Sequence, residues 1–311
     1  MDKVCGVTFA AFSKRGTLKK ASAKESLDTL IENTNANTIA LVPNVLQDTP
    51  HSEVVNYTSE ATFSDEELKE TIDYIHSKGL KVFLKPTVNC LNGTWRAFIS
   101  FFEEDVPPEP KWSNWFKSYT ECQVHFAKLA EECKVEFFSP GCEMVMSDHR
   151  EAEWRQVIAA IRSVYSGLIT YNCDKYQEHN VTWWDCVDII SSSGYYPIND
   201  WENQLDRIEK VVKKYNKPFM FAEIGCMSTS GSSMHPNDWT FQGERDDKEQ
   251  ANWYNTMFEH CKDRGFIDGI CIWDWPAKLC CCGDKDYLEK GYNIHEKPAE
   301  KIVFDRFSSY K

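Results

Sequence analysis

The sequence predicts a single (β/α)8 TIM barrel over residues 1–311, with elongated loops on its C-terminal face. Three observations carry this expectation. Eight short apolar runs rich in β-branched and aromatic residues recur along the chain, and segments with helical spacing and start signals separate them. No Pro/Gly/Ser-rich linker divides the 311 residues, a length that suits one α/β barrel. A doubly wound open sheet is the competing arrangement. It usually places a glycine-rich phosphate turn after its first strand, and FAAFSKRG at Phe9–Gly16 lacks that spacing.

The strands are expected, in order, at Val4–Ala11, Thr38–Val42, Leu80–Pro86, Val135–Gly141, Leu168–Asn172, Val187–Ser192, Pro218–Ile224 and Gly269–Trp273. The first helix falls at Ser22–Asn33. The second is signalled by SDEELKETIDYIHSKG, where Ser64 stands three residues before Glu67 as a capping box and Gly79 closes the helix. A third spans Ser113–Cys133. In DHREAEWRQVIAAIRSVYSG the capping pattern recurs, with Asp148 ahead of Glu151 and Gly167 as the stop. Further helices are expected at Asn199–Tyr215, Asp247–Arg264 and Glu296–Phe307, whereas the link after the fifth strand is short. The long loops follow the second strand (Pro43–Phe63), the third (Thr87–Trp112) and the seventh (Gly225–Asp246). All three lie at the C-terminal face, where function is therefore expected.

A formal net charge of −13 repels phosphate backbones and anionic lipid, which argues against nucleic acid or a membrane as partner. No apolar run approaches the roughly 20 residues that span a bilayer. The start MDKVCGVTFAAFSKRG lacks the regions of a signal peptide, so cytoplasmic residence is expected, or secretion where a leader has been removed. Thirteen cysteines, an odd number and many of them in apolar strands, fit reduced thiols. LCCCG at Leu279–Gly283, with Cys280 to Cys282, has no second Cys/His pair at zinc spacing, so no metal site is expected.

Two stretches point to chemistry. VEFFSPGCEM (Val135–Met144) runs from an apolar strand into Cys142 and Glu143, and KPFMFAEIGC (Lys217–Cys226) ends its strand on Glu223. The fourth and seventh strands of an eight-unit barrel project both carboxylates into one mouth. Such a pair suits cleavage of a glycosidic bond: one acid protonates the leaving oxygen, and the other carboxylate attacks or stabilises the oxocarbenium-like centre. Around them gather Trp95, Trp112, Trp115, Tyr195, Tyr196, Trp239, Trp273 and Trp275, whose rings can stack on the C–H faces of sugars. Asn44, Lys85, Asn89 and Arg96 supply polar groups for sugar hydroxyls. Trp183 and Trp184 precede the sixth strand at the opposite rim and are assigned to packing. Among eight histidines, His51 and His235 sit in mouth loops, and no H-x-H or H-x-x-E-H cluster supports a metal-dependent hydrolase. A carbohydrate-binding barrel without catalysis would keep the aromatic residues and lose one carboxylate, yet both are present.

The chain resembles glycoside hydrolase family 113, β-mannanases of the large retaining clan of barrel enzymes. The similarity lies in QDTPHS (Gln47–Ser52), GLKVFLKP (Gly79–Pro86), TWRAFI (Thr94–Ile99), EAEWRQVIAAIRSVYSG (Glu151–Gly167), KPFMFAEIG (Lys217–Gly225), WDWP (Trp273–Pro276) and, near the C-terminus, KPAEKIV. The resemblance implies β-1,4-mannan or manno-oligosaccharide as substrate, retention of configuration, no cofactor, Glu143 as acid/base and Glu223 as nucleophile. It further implies that Tyr195 or Tyr196 hydrogen-bonds the nucleophile and that Trp273, or alternatively Trp275, floors the reacting subsite. Most clan members have asparagine before the acid/base to contact the sugar 2-hydroxyl. Here that position is Cys142, a weak donor, which leaves another β-linked hexose, gluco-configured or amino, as the alternative substrate.

Overall fold

The computed structural model describes residues 2–279 and 289–310. Among the described residues are ten strands: β1 (Val4–Phe9), β2 (Thr38–Leu41), β3 (Asn44–Gln47), β4 (Lys81–Leu84), β5 (Thr87–Cys90), β6 (Phe137–Phe138), β7 (Leu168–Cys173), β8 (Ile189–Ser193), β9 (Phe219–Ile224) and β10 (Ile267–Trp275). Eight of them close a parallel barrel in the order β1-β10-β9-β8-β7-β6-β4-β2, and these eight correspond to the eight expected runs. The helices are α1 (Ala21–Thr34), α2 (Asp65–Ser77), α3 (Trp112–Glu132), α4 (Glu151–Arg162), α5 (Trp201–Tyr215), α6 (Asp247–Cys261) and α7 (Pro298–Ser309). Between β7 and β8 the chain makes only a 3-10 turn at Trp184–Cys186, as the short link implied.

Two strands were not anticipated. Pro43 and Pro86 follow β2 and β4, and a proline has no N–H to give to a ladder. Beyond these breaks the two chains pair again as β3 and β5, a small parallel sheet in register from Asn44↔Thr87 to Gln47↔Cys90. This sheet carries Asn44 and Asn89 above the barrel rim.

Apolar side chains occupy two layers. Val4, Ala40, Phe83, Phe137, Ile189, Met220, Ala222 and Cys271 fill the barrel interior, and a larger shell packs the outer strand faces against the helices. Interior space is tight: a Cβ on Gly6 would lie 2.3 Å from Cys271 Sγ, so only glycine fits there. In the shell, Trp154 stacks on Trp183 with centroids 5.1 Å apart, and Trp183 and Trp184 are fully buried. Burying one large apolar side chain contributes about 1.5–3 kcal/mol, so this cluster anchors α4 firmly.

The capping box of α2 forms on both sides: Glu67 N–H donates to Ser64 Oγ at 3.2 Å, and Ser64 N–H to Glu67 Oε2 at 3.0 Å. The second box does not form. Helix α4 begins with Arg150 at its N-cap, and Asp148 is buried, accepting the Tyr171 hydroxyl. Helix α4 also ends at Arg162, before Gly167. The Cys280–Cys282 run lies outside the described residues. Among the described residues no group of three or more His, Cys, Asp or Glu side chains could hold a metal ion, and no helix is long and apolar enough to cross a membrane.

Candidate active site

Glu223 reaches the barrel mouth through an irregularity. Met220 and Ala222 pack inside the barrel, so strict alternation along β9 would turn Glu223 outward. The register of β9 shifts against both neighbours, between Ser192 and Ser193 of β8 and between Ile270 and Ile272 of β10. Such bulges re-aim a side chain. Glu223 consequently faces the mouth, where Lys85 Nζ donates to its Oε1, Cys142 Sγ donates to the same oxygen at 3.2 Å, and the Tyr195 hydroxyl donates to Oε2 at 3.2 Å. Burial alone would raise the carboxyl pKa, but the positive charges of Lys85 and Arg96 outweigh it and hold it below the ordinary value.

Glu143 arrives differently. Strand β6 is only Phe137–Phe138, after which Ser139 and Pro140 lead to Cys142, which bridges Asn172 of β7. Glu143 itself has φ 53°, a left-handed conformation that costs a non-glycine residue about 1–3 kcal/mol. Its N–H donates to Asn172 O at 2.8 Å, which holds the turn. The carboxylate accepts from Ser193 Oγ on Oε1 at 2.8 Å, and on Oε2 from Trp95 Nε1 at 3.2 Å and Arg96 Nη2 at 3.4 Å.

Both carboxylates line one cavity of about 910 Å³. Phe12, Trp95, Trp239, Trp273 and Tyr292 give it aromatic walls, and Asn89, Arg96, Lys175, His235 and Asp274 give it polar ones. Trp95 and Trp239 meet edge to face at 6.2 Å, and Phe12 tilts against Trp273 at 5.6 Å. Arg96 is buried beneath this wall, donating from Nε to Cys142 O at 3.0 Å and from Nη1 to Asn89 Oδ1 at 2.9 Å. Asn89 passes the contact on to Asn44 Oδ1 at 2.8 Å. Next to the site, burial and the charge of Glu143 push Asp174 up to about 7.

Of the residues singled out from sequence, Glu143, Glu223, Lys85, Asn89, Trp95, Arg96, Tyr195 and Trp273 converge here, with Asn44 behind Asn89. Four others do not. Cys142 is 1% exposed and directs its thiol at Glu223 and Asn172, leaving none for a sugar hydroxyl. Tyr196 is fully buried behind the barrel wall, with its hydroxyl on Glu178. Trp275 donates to Ser26 Oγ in the outer shell at 3.1 Å, because the β1–β10 register shifts between Val7 and Phe9 and leaves Trp273 at the mouth and Trp275 outside. Trp112 and Trp115 are buried on α3. His235 and Trp239 reach the cavity wall, and His51 contacts Ser100 O on the surface. Sequence reasoning missed Asn172, Ser193, Asp174, Lys175 and Tyr292. The readable signal for the first two was a polar residue within an apolar strand, in LITYNC and IISSS.

The model of Glycoside Hydrolase Family 113 matches residues 7–297 of the chain. A solved GH113 β-1,4-mannanase complex is 49% identical, with a TM-score of 0.96 over 99% of this chain and 100% of that one. The GH113 β-mannanase AaManA from Alicyclobacillus acidocaldarius, solved with ManMIm, is 38% identical, with a TM-score of 0.94 over 100% of this chain and 99% of that one. A β-glucuronidase from Ruminococcus gnavus shares the fold alone, at 15% identity and a TM-score of 0.67, covering 98% of this chain and 50% of that one. No curated protein sequence matches the chain.

Proposed function

The chain belongs to glycoside hydrolase family 113, and from that membership we propose that it hydrolyses β-1,4-linked mannan and manno-oligosaccharides with retention of configuration, Glu223 acting as nucleophile and Glu143 as acid/base. The observation that carries the reading is two carboxylates in one cavity with different surroundings. Glu223 sits against the Lys85 ammonium, which keeps it ionised and ready to attack. Its Oε2 bears the single Tyr195 contact and is the freer oxygen for attack on the anomeric carbon.

In the first step Glu223 forms a bond to that carbon while the bond to the glycosidic oxygen breaks, and Glu143 gives its proton to the departing oxygen. In the second step Glu143 takes a proton from water, the water oxygen bonds to the anomeric carbon, and Glu223 is released as carboxylate. Tyr292 packs on Tyr195 and Trp273 lies 5.7 Å from Lys85 Nζ, both partners of Glu223, whereas Trp95 donates to Glu143, and in this reading the departing sugar leaves on the Trp95 side.

The test is a panel of defined β-1,4 oligosaccharides in the mannose, glucose, xylose and glucosamine series, with NMR of the first-formed anomer. Consumption of the mannose series ahead of the others, with the β-anomer appearing first, is expected. Preference for the glucose or glucosamine series would move the substrate assignment, and a first-formed α-anomer would overturn the double displacement.

A further inference from the structure

Between the two carboxylates runs a line of buried polar groups, of which the reaction above uses Lys85 and leaves Asn172 and Ser193 unused. Lys85 Nζ donates to Glu223 Oε1 and, at 2.7 Å, to Asn172 Oδ1. An ammonium has donors and no acceptor, so it dictates which end of the Asn172 amide faces it. The other end, Nδ2, donates to Cys173 O at 3.2 Å and to Ser193 Oγ at 3.0 Å. Ser193 Oγ thus accepts from an N–H, and its one hydroxyl proton is directed at Glu143 Oε1, 2.8 Å away. Lys85, Asn172 and Ser193 are each 0% exposed, so bulk solvent does not compete for these bonds.

The backbone reinforces the same line. Asn172 O accepts the Glu143 N–H, and Ser193 is in register with Glu223 across the β8–β9 ladder. Asn172 and Ser193 are therefore tied to both carboxylates, through side chain on one side and main chain on the other.

We propose that Asn172 and Ser193 are positioning residues that hold Glu143 Oε1 as a permanent acceptor and so confine the acid proton to Oε2, the oxygen beside Trp95 on the leaving-group side. The inference rests on the reading of Glu143 as acid/base. With a hydroxyl proton locked onto Oε1, a carboxylic proton there would meet another proton, whereas Oε2 can carry one by loosening its longer contacts to Trp95 and Arg96. The other charged or titratable groups facing Glu143 are Arg96, Lys85, Glu223, Cys142, Asp174, Tyr195 and Tyr292. A change confined to Ser193 leaves all of them in place.

The experiment compares Ser193→Ala, Ser193→Thr and Asn172→Asp in the full chain by pH profiles of kcat/KM on a manno-oligosaccharide and on a dinitrophenyl glycoside. Ser193→Ala removes the hydroxyl donor that Oε1 accepts, and the basic limb of the profile moves to higher pH, by about one unit. Its kcat on the oligosaccharide falls about tenfold, and far less on the activated substrate, which needs no proton. Ser193→Thr, which keeps the hydroxyl, returns the limb towards its wild-type position. Asn172→Asp places an acceptor beside Ser193 that turns the hydroxyl away from Glu143, and shifts the limb in the same direction as Ser193→Ala. A basic limb unmoved in Ser193→Ala and Asn172→Asp overturns the proposal, as do equal losses on both substrates that Ser193→Thr does not repair. Asp174→Asn serves as a control, since a basic limb that vanishes in that variant belongs to Asp174 and also overturns it. Glu143→Ala separates the two levels: equal loss on both substrates there removes the acid/base reading itself, whereas selective loss on the oligosaccharide keeps that reading and leaves the relay to be judged by Ser193.

Discussion

Cys142 Sγ lies 3.2 Å from Glu223 Oε1, so the thiol before one carboxylate donates to the other. Burial and the charge of Glu223 push the thiol pKa up, against the opposing pull of Lys85 and Arg96, and the group stays protonated as a donor. Removing it takes a hydrogen bond from ionised Glu223 and raises that pKa. The acid limb of kcat/KM in Cys142→Ala should therefore move to higher pH, by a fraction of a unit because a thiol is a weak donor. The same geometry turns the thiol, expected as a weak donor where the clan has asparagine, onto Glu223 and Asn172 and away from the sugar. The ratio of kcat/KM for manno- and gluco-configured aryl glycosides should be the same in Cys142→Ala as in wild type, and a changed ratio would restore the cysteine to the sugar site.

Glu223 and Glu143 should respond unequally to alanine. In the proposed mechanism the covalent step needs Glu223, so turnover should fall by several orders of magnitude on every substrate. Without Glu143 the first step still proceeds when the leaving group is as acidic as dinitrophenolate, and added azide can take the place of activated water in the second. Initial rates with and without azide measure this. Equal loss in both variants on the activated substrate would contradict the assignment.

Asp148 should make stability depend on pH at a distance from the cavity. Burial pushes its carboxyl up to about 7 although Tyr171 donates to it. Between the unfolded carboxylate pKa and about 7 the folded protein binds the extra proton, so folding stability falls as pH rises through that window. Asp148→Asn cannot ionise and should lose that decline, gaining roughly 2–4 kcal/mol relative to wild type on going from pH 4 to pH 8. Denaturant unfolding at the two pH values checks the sign and the size.

Trp239 is 62% exposed yet lines the cavity edge to face with Trp95, which touches Glu143. Among the described residues Trp239 leaves much of its ring open at the cavity edge, where a sugar can stack. Trp239→Ala should raise KM for long manno-oligosaccharides by roughly 2- to 13-fold, the equivalent of one aromatic stacking contact, with a smaller effect on short ones. A chain-length series of kcat/KM separates this from a general loss.

The barrel was legible because parallel strands buried on both faces read as continuous apolar runs, and helix starts such as Ser64 with Glu67 carry their own chemistry. Glu143 and Glu223 were legible for the converse reason, as carboxylates placed where apolar strands end. Asn172 and Ser193 were passed over because a polar side chain inside a strand announces burial without saying which neighbour satisfies it. The pairs Tyr195/Tyr196 and Trp273/Trp275 could not be separated from spacing, since only the local register decides which ring faces the mouth.

By itself the chain therefore determined its eightfold alternation, the face that carries the cavity and the two carboxylates that line it. Period, burial and caps are local properties that each segment carries with it. Tertiary structure alone decided the rest. The register shifts of β9 against Ser193 and Ile272 turn Glu223 inward, the bridge from Cys142 to Asn172 holds Glu143 in a left-handed turn, and Lys85 orients an amide on a different strand. Each of these depends on hydrogen bonds between residues tens of positions apart, and such bonds exist only once the barrel has closed.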